Sequence, residues 1–388
     1  MKGISKWGLA FILLINSILL SGCWSYNEVN DRLIATSAGI DYIEKSEKYR
    51  VTIKAINAKP GESGVNIIPE VISVEGDGVF DAIRKSAPLL GKKTFWSHMQ
   101  TLIINENIAS KDILNTIDFF NRDPEVRQDC TVYITSSKTA EEIIRLEANL
   151  QEKMNYNLSD AIKTQRFVGS FPALDLHEFI VRSMEDTVEP ILPIIDFHSD
   201  GDLAPNLGGS AIFLKDKMIG KLSSNETLFT LLIRDDIISP LLLIAINKEG
   251  LEKDIPKITL EIYKSKSKIT ANIDNEDIKI IINIEIDAGI AELGTPLDFS
   301  KLEYTDAVKS LGEEEIKSQI IGTVKRVQRK YKSDIFGFGK AVQISDPRLW
   351  KMIKTEWPDK FSTLPVSINL KLNITNTGKT TKSLGGSE

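Results

Sequence analysis

The chain has 388 residues, 42% hydrophobic and 26% charged, the balance of a soluble globular protein of two or three domains whose core needs no staples. Its formal net charge is −6, and losing residues 1–22, with Lys2, Lys6 and no acid, takes it to −8. An acidic body argues against general nucleic-acid binding, and two cysteines exclude a disulfide-rich scaffold.

Lys2 and Lys6 precede an uncharged run from Trp7 to Gly22. The run falls short of the ~20 apolar residues that span a bilayer. With small residues at its end it has the layout of a secretory signal over 1–22. Leu20-Ser21-Gly22-Cys23 resembles the bacterial lipobox, in which the thiol receives a diacylglyceryl group and the signal is cut before it. A single-span anchor, or a plain secretory signal with an incidental cysteine, is the competing reading. At ~0.8 kcal/mol per buried CH₂, two acyl chains hold stably where one binds only marginally. Cys23 is therefore the candidate lipidation residue. Cys130, in the strand-like CTVYIT, is left as the only free thiol, expected to pack as a small hydrophobe.

Within 32–58, RLIATSAGIDYI and KYRVTIKAINA predict two strands joined by the turn EKSE. The Pro- and Gly-rich 59–70 reads as a loop, which leaves open whether the first half is one domain or two. VISVEG is a short strand, and Val79, Ile83, Ala87 and Leu90 recur at helical spacing. SHMQTLIIN predicts a buried strand. A helix follows with Ser110 as N-cap and Ile113, Ile117 and Phe120 on one face. Thr139 to Glu142 fits a capping box opening a short helix. Another helix is expected over 173–184, then the extended EPILPIIDF.

SDGDLAPNLGGS (199–210) has linker composition and places the main boundary: a 23–200 domain, then a 208–376 domain. The second half opens with a hairpin turning at Lys215–Lys217 and a helix over 225–235. Residues 256–290 are strand-like, with Ile280, Ile282, Ile284 and Ile286 on one face and Lys279, Asn283, Glu285 and Asp287 opposite. The best helical signal spans 306–332, through Ile316, Ile320, Val324, Val327 and Tyr331, although Gly312 weakens its first turns. Val366 to Ile374 alternates again as a strand, and 377–388 is a polar tail. Hairpins and consecutive strands point to an α+β multidomain fold with mixed or antiparallel sheets and packed helices.

Catalytic signals are absent. His98, His177 and His198 form no metal-binding pair, and no nucleophile elbow or phosphate loop is present. No catalytic residue, metal or cofactor is expected. The sequons at Asn157, Asn225 and Asn373 read as chance matches beside a bacterial lipobox. His98, entering an apolar strand, reads as a hydrogen-bonded core or strand-end histidine rather than a ligand. Lys325, Arg326, Arg329, Lys330 and Lys332 read as cations favoured at a helix C-terminus, with an anionic lipid or acidic partner as the alternative. Ile335-Phe336-Gly337-Phe338-Gly339 is expected to position the end of the long helix.

Several stretches together resemble one family: Cys23-Trp24 with Glu28 and Gly39-Ile40-Asp41, then FWSHMQTLIINENIA, DFFNRDPEVR, GSAIFLKDKMIGKLSSNET and DIFGFGKAVQISDPRLWKMIKTEWPDKF. In this order they resemble Ger(x)C proteins, the C subunits of bacterial spore germinant receptors. Ser25 departs from the aspartate usual after the tryptophan, which leaves the chemistry of Cys23 untouched and alters contacts near the anchor. The resemblance implies a non-enzymatic lipoprotein on the outer face of the spore inner membrane. It implies work with membrane-embedded A and B subunits in nutrient-triggered germination. The competing class is a lipid-anchored extracytoplasmic solute-binding protein; an envelope hydrolase lacks any supporting motif.

Overall fold

A computed structural model of the chain describes residues 7, 32–61, 64–197, 205–237, 239–245, 257–274, 277–293 and 302–376. The fold is α+β, built on two sheets. Strands β1 (Arg32–Ile43), β2 (Lys48–Gly61) and β3 (Gly64–Gly76) form an antiparallel meander. The short β4 (Lys93–Phe95) and then β5 (Thr101–Asn105) pair parallel to β1. β6 (Thr131–Thr135) and β7 (Ile191–Phe197) continue the parallel run. The antiparallel β8 (Pro205–Leu214) and β9 (Lys217–Leu222) complete nine strands.

The two faces of this sheet differ in chemistry. One carries Leu33, Ala38, Ile40, Val51, Ile53, Leu102, Ile104, Val132 and Ile134, all buried under the helices Val79–Leu90, Ile113–Arg122 and Leu176–Met184. The other carries Ser37, Asp41, Thr52, Lys54 and Thr101, buried beside the helix Ala140–Met154. That helix is close because Gly39 lacks a Cβ, which would lie 3.1 Å from Ile144 and 3.2 Å from Ala140. Its N-terminus is held by Asp41, which accepts from the amides of Ala140 at 2.7 Å and Glu141 at 3.1 Å.

A loop reading and part of a linker reading give way to strands. The 59–70 segment is not a loop: β2 and β3 pair as far as Gly61 opposite Gly64. Pro60 and Pro69 are tolerated because β1 pairs with β2 only up to Ile34 opposite Ile56, and β3 is a sheet edge. Residues 205–210 belong to β8, which joins the sheet directly beside β7, so the first sheet runs across the linker composition. Capping also differs in detail. Asp112, not Ser110, caps the helix Ile113–Arg122, by accepting from Asn115 N at 3.1 Å. Thr139 caps as expected, but its helix runs 15 residues rather than being short. There the reciprocal half of the box is missing, since Glu142 Oε2 is buried without a partner.

Beyond the helix Ser224–Ile233, with its complete Ser223/Glu226 capping box, the second sheet has the order β10 (Leu241–Ala245), β11 (Lys257–Asp274), β12 (Asp277–Leu293), β13 (Val366–Asn376). Ile280, Ile282, Ile284 and Ile286 are each at most 2% exposed. On the opposite face Lys371 pairs with Glu285 at 3.0 Å and Asn373 donates to Asp287 at 2.8 Å, cross-strand contacts suited to a wet surface. The helix Leu302–Lys330 lies across the buried face, with Ile316, Ile320, Val324 and Val327 in the core. Gly312 has a packing role here, because a Cβ would approach Leu372 to 2.8 Å and Ile244 to 2.9 Å.

Candidate functional site

The junction between the halves is built by a short segment after the long helix. Asp334 is buried, and its Oδ1 accepts from the amides of Gly337 at 2.9 Å and Phe338 at 3.0 Å. Its Oδ2 accepts from Gly339 N at 2.6 Å and Trp357 Nε1 at 3.0 Å. Gly337 takes a φ of +85°, which glycine adopts without cost. Gly339 leaves room for Trp350 and the Thr187 carbonyl, which a Cβ would meet at 2.7 and 2.9 Å. Phe336 and Phe338 stack at 5.2 Å, with Phe361 5.8 Å from Phe338. The expected positioning role of this stretch is thus seen in its contacts.

The other side of the junction is Asp186 to Glu189, just before β7. Glu189 N donates to Asp334 O at 2.9 Å, and its carboxylate accepts from Lys215 N at 2.8 Å. Lys215 and Lys354 both reach Asp186, at 2.9 and 3.0 Å. Burial raises Asp334 to about 6 against the pull of its four donors, and raises Glu189 to about 7. Next to this junction a cleft of about 500 Å³ separates the helices Leu176–Met184 and Phe338–Ser345. Exposed Val181 and Ile344 stand on its sides. Its lining also carries His177, Glu178, Glu185 and Lys340.

The sequence-singled residues are scattered. Cys23, His198 and the tail 377–388 lie outside the described residues. Cys130 is fully buried and reduced, its thiol pushed up to about 12 by burial. His98 is exposed, not in a core: it sits in the turn ahead of β5, edge-on to Phe95 at 6.1 Å. His177 is also exposed, its Nδ1 3.2 Å from Gln128 Oε1. In the basic cluster Arg326 pairs with Glu226 at 2.6 Å and Lys332 with Asp359 at 2.7 Å, and Lys330 lies 5.0 Å over Tyr331. Two of the five cations are thus paired with carboxylates of the chain. Among the described residues no group of His, Cys, Asp or Glu could hold a metal.

Sequence reasoning missed the buried ion pair of Lys54 and Glu147, 2.9 Å apart. A lysine in an alternating strand reads as outward-facing, and its partner sits 93 positions later on a helix. It also missed Asp334, whose only local signal is the glycine pair that follows.

Residues 25–197 match the family described as spore germination protein N-terminal domain, and 208–378 match spore germination B3/GerAC-like, C-terminal. The chain therefore belongs to the GerAC, or Ger(x)C, family of spore germination proteins. It is similar to spore germination protein KC of Bacillus subtilis (strain 168), 23% identical over 97% of both chains. It is likewise similar to spore germination protein B3 of the same strain, 22% identical over 97% of this chain and 99% of the relative. The crystal structure of the GerBC protein shares the fold, with TM-score 0.56 and 19% identity over 87% of this chain and 97% of that one. Among the described residues no helix is long and apolar enough to cross a membrane.

Proposed function

We propose that the chain is the lipid-anchored, non-enzymatic subunit of a nutrient germinant receptor, tethered through Cys23 to the outer face of the spore inner membrane. It acts by binding membrane-embedded A and B subunits. The observation that carries this reading is the match of two germination-family domains in order across nearly the whole chain after the signal. Anchored at Cys23, the chain holds Arg32, the first residue of β1 and nine positions later, within about 30 Å of the bilayer at ~3.3–3.6 Å per residue. Confinement there raises the effective concentration of partners, so a modest interface suffices.

The test is deletion in a strain whose only germinant receptor is the one containing this subunit. Nutrient-triggered germination should be lost while sporulation and non-nutrient germination persist. A normal nutrient response in that strain rejects the receptor reading in favour of the solute-binding one. Recovery of two polytopic partners from spore membranes with this subunit supports it, whereas an ATP-driven importer in their place rejects it.

A further inference from the structure

A cavity of about 550 Å³ opens on the polar face of the first sheet, lined among others by Ile34, Thr36, Lys54, Ile56, Glu147 and Gln151. The side chains of Lys54 and Glu147 are 1% and 3% exposed. Glu147 accepts three hydrogen bonds: one oxygen accepts from Lys54 and Ser37 Oγ, each at 2.9 Å, and the other from Leu158 N at 3.2 Å. Lys54 has donors to spare. An ammonium has three donors, and Glu147 is its one acceptor among the described residues. Gln151 Oε1, in the same cavity, is buried and has no partner. β1 carries an irregularity beside this space. The register of β1 against β2 slips between Ala35 and Ser37, so Thr36 and Ser37 both border the cavity. Such bulges commonly re-aim side chains beside functional sites.

We propose that this cavity binds a small neutral molecule rich in hydroxyl or amide groups. Lys54 donates to an oxygen of the ligand, Gln151 Oε1 accepts from an O–H or N–H, and Ile34 and Ile56 carry its carbon skeleton. The volume fits a small-molecule site. Charge selects neutrality. The cavity's ionised groups are already paired, Lys54 with Glu147 and the exposed Asp160 with Lys163 at 2.6 Å, so an anion or a cation would meet a like charge in each pair. The competing occupant is water, which fills polar cavities of this kind. The proposal stands apart from the receptor reading, since it uses no property of the anchor or the partners.

The test is saturation-transfer NMR on the full chain in detergent micelles, with D-glucose, glycerol and acetamide as neutral probes and acetate and methylammonium as charged ones. At least one neutral probe should bind in the millimolar range or tighter, and the charged ones should not. Gln151→Leu removes an oxygen that has no partner among the described residues, so it should keep the fold yet weaken binding about tenfold, the worth of one hydrogen bond. Lys54→Met should abolish binding where it folds. Absence of saturation transfer to every neutral probe overturns the proposal in favour of a water-filled cavity. Equal binding by folded Gln151→Leu overturns the assigned site.

Discussion

Trp357 Nε1 donates to Asp334 Oδ2 at 3.0 Å, so a helix 23 residues further on is fastened to the same carboxylate that gathers the amides of Gly337, Phe338 and Gly339. One side chain thus fixes the exit of the long helix, the start of the next one and the indole of a third. Asp334→Ala leaves four donors unpaired, those of Phe338, Gly339 and Trp357 buried and that of Gly337 half-buried. At about 1–3 kcal/mol for each unsatisfied group, the loss should reach ~4 kcal/mol or more even after partial relaxation. Urea unfolding checks this; a midpoint within error of the wild type would refute the fastening role.

Glu189 gives the junction a pH dependence of defined sign. Burial, the largest influence, lifts its folded value from 4.5 to about 7, with the nearby Asp334 adding to the rise. The folded protein therefore holds this proton more tightly than the unfolded chain. The stability it contributes is fully present below about pH 4.5 and is lost as pH rises through about 7. Glu189→Gln keeps an oxygen for Lys215 N and removes the titration. Relative to that variant, the wild type should lose on the order of 2 kcal/mol between pH 4.5 and 7.5. Parallel stability curves for the two proteins would contradict the assignment.

Much of the scaffold was legible because its signals are local. The isoleucines from 280 to 286 show a period of two, and Ile316 to Tyr331 show a helical period; each is buried as its spacing requires. The failures have physical causes. Composition at 59–70 and 205–210 suggested a loop and a linker, yet Pro69 sits on the edge strand and Pro205 is the first residue of β8, positions that accept proline. Ser110 and Asp112 are both good caps, and only the helix axis decides between them. Lys54, Glu147 and Asp334 were invisible as a group because their partners are set by topology, at separations no window of sequence covers. The family resemblance, by contrast, rested on contiguous stretches and was readable before any fold was known.

Gly220 and Tyr331 make a second test of long-range packing. Tyr331 lies across β9, its hydroxyl donating to Lys221 O at 3.0 Å. A Cβ on Gly220 would lie 2.1 Å from Tyr331 Cε1. Gly220→Ala should therefore displace the ring and cost about 1–3 kcal/mol. Combined with Tyr331→Ala, which empties that space, the added cost of the alanine should largely vanish. Additive losses in this double-mutant cycle would show that the two residues do not compete for the same volume.

The last prediction concerns the anchor. If Cys23 carries two acyl chains, Cys23→Ala removes the membrane attachment and also the site at which the signal is cut. At ~0.8 kcal/mol per buried CH₂, a diacyl anchor outweighs any modest contact the acidic body makes with the bilayer. The variant should leave the spore membrane fraction, or stay there only as a precursor that retains residues 1–22. Intact-mass measurement separates these outcomes, because the precursor is heavier by the signal and lacks the lipid. Receptor function should fall in both cases, since Cys23, nine positions before β1, no longer holds the body at the membrane surface. Mature-size, membrane-bound and functional protein in the Cys23→Ala strain would show that attachment comes from elsewhere in the chain.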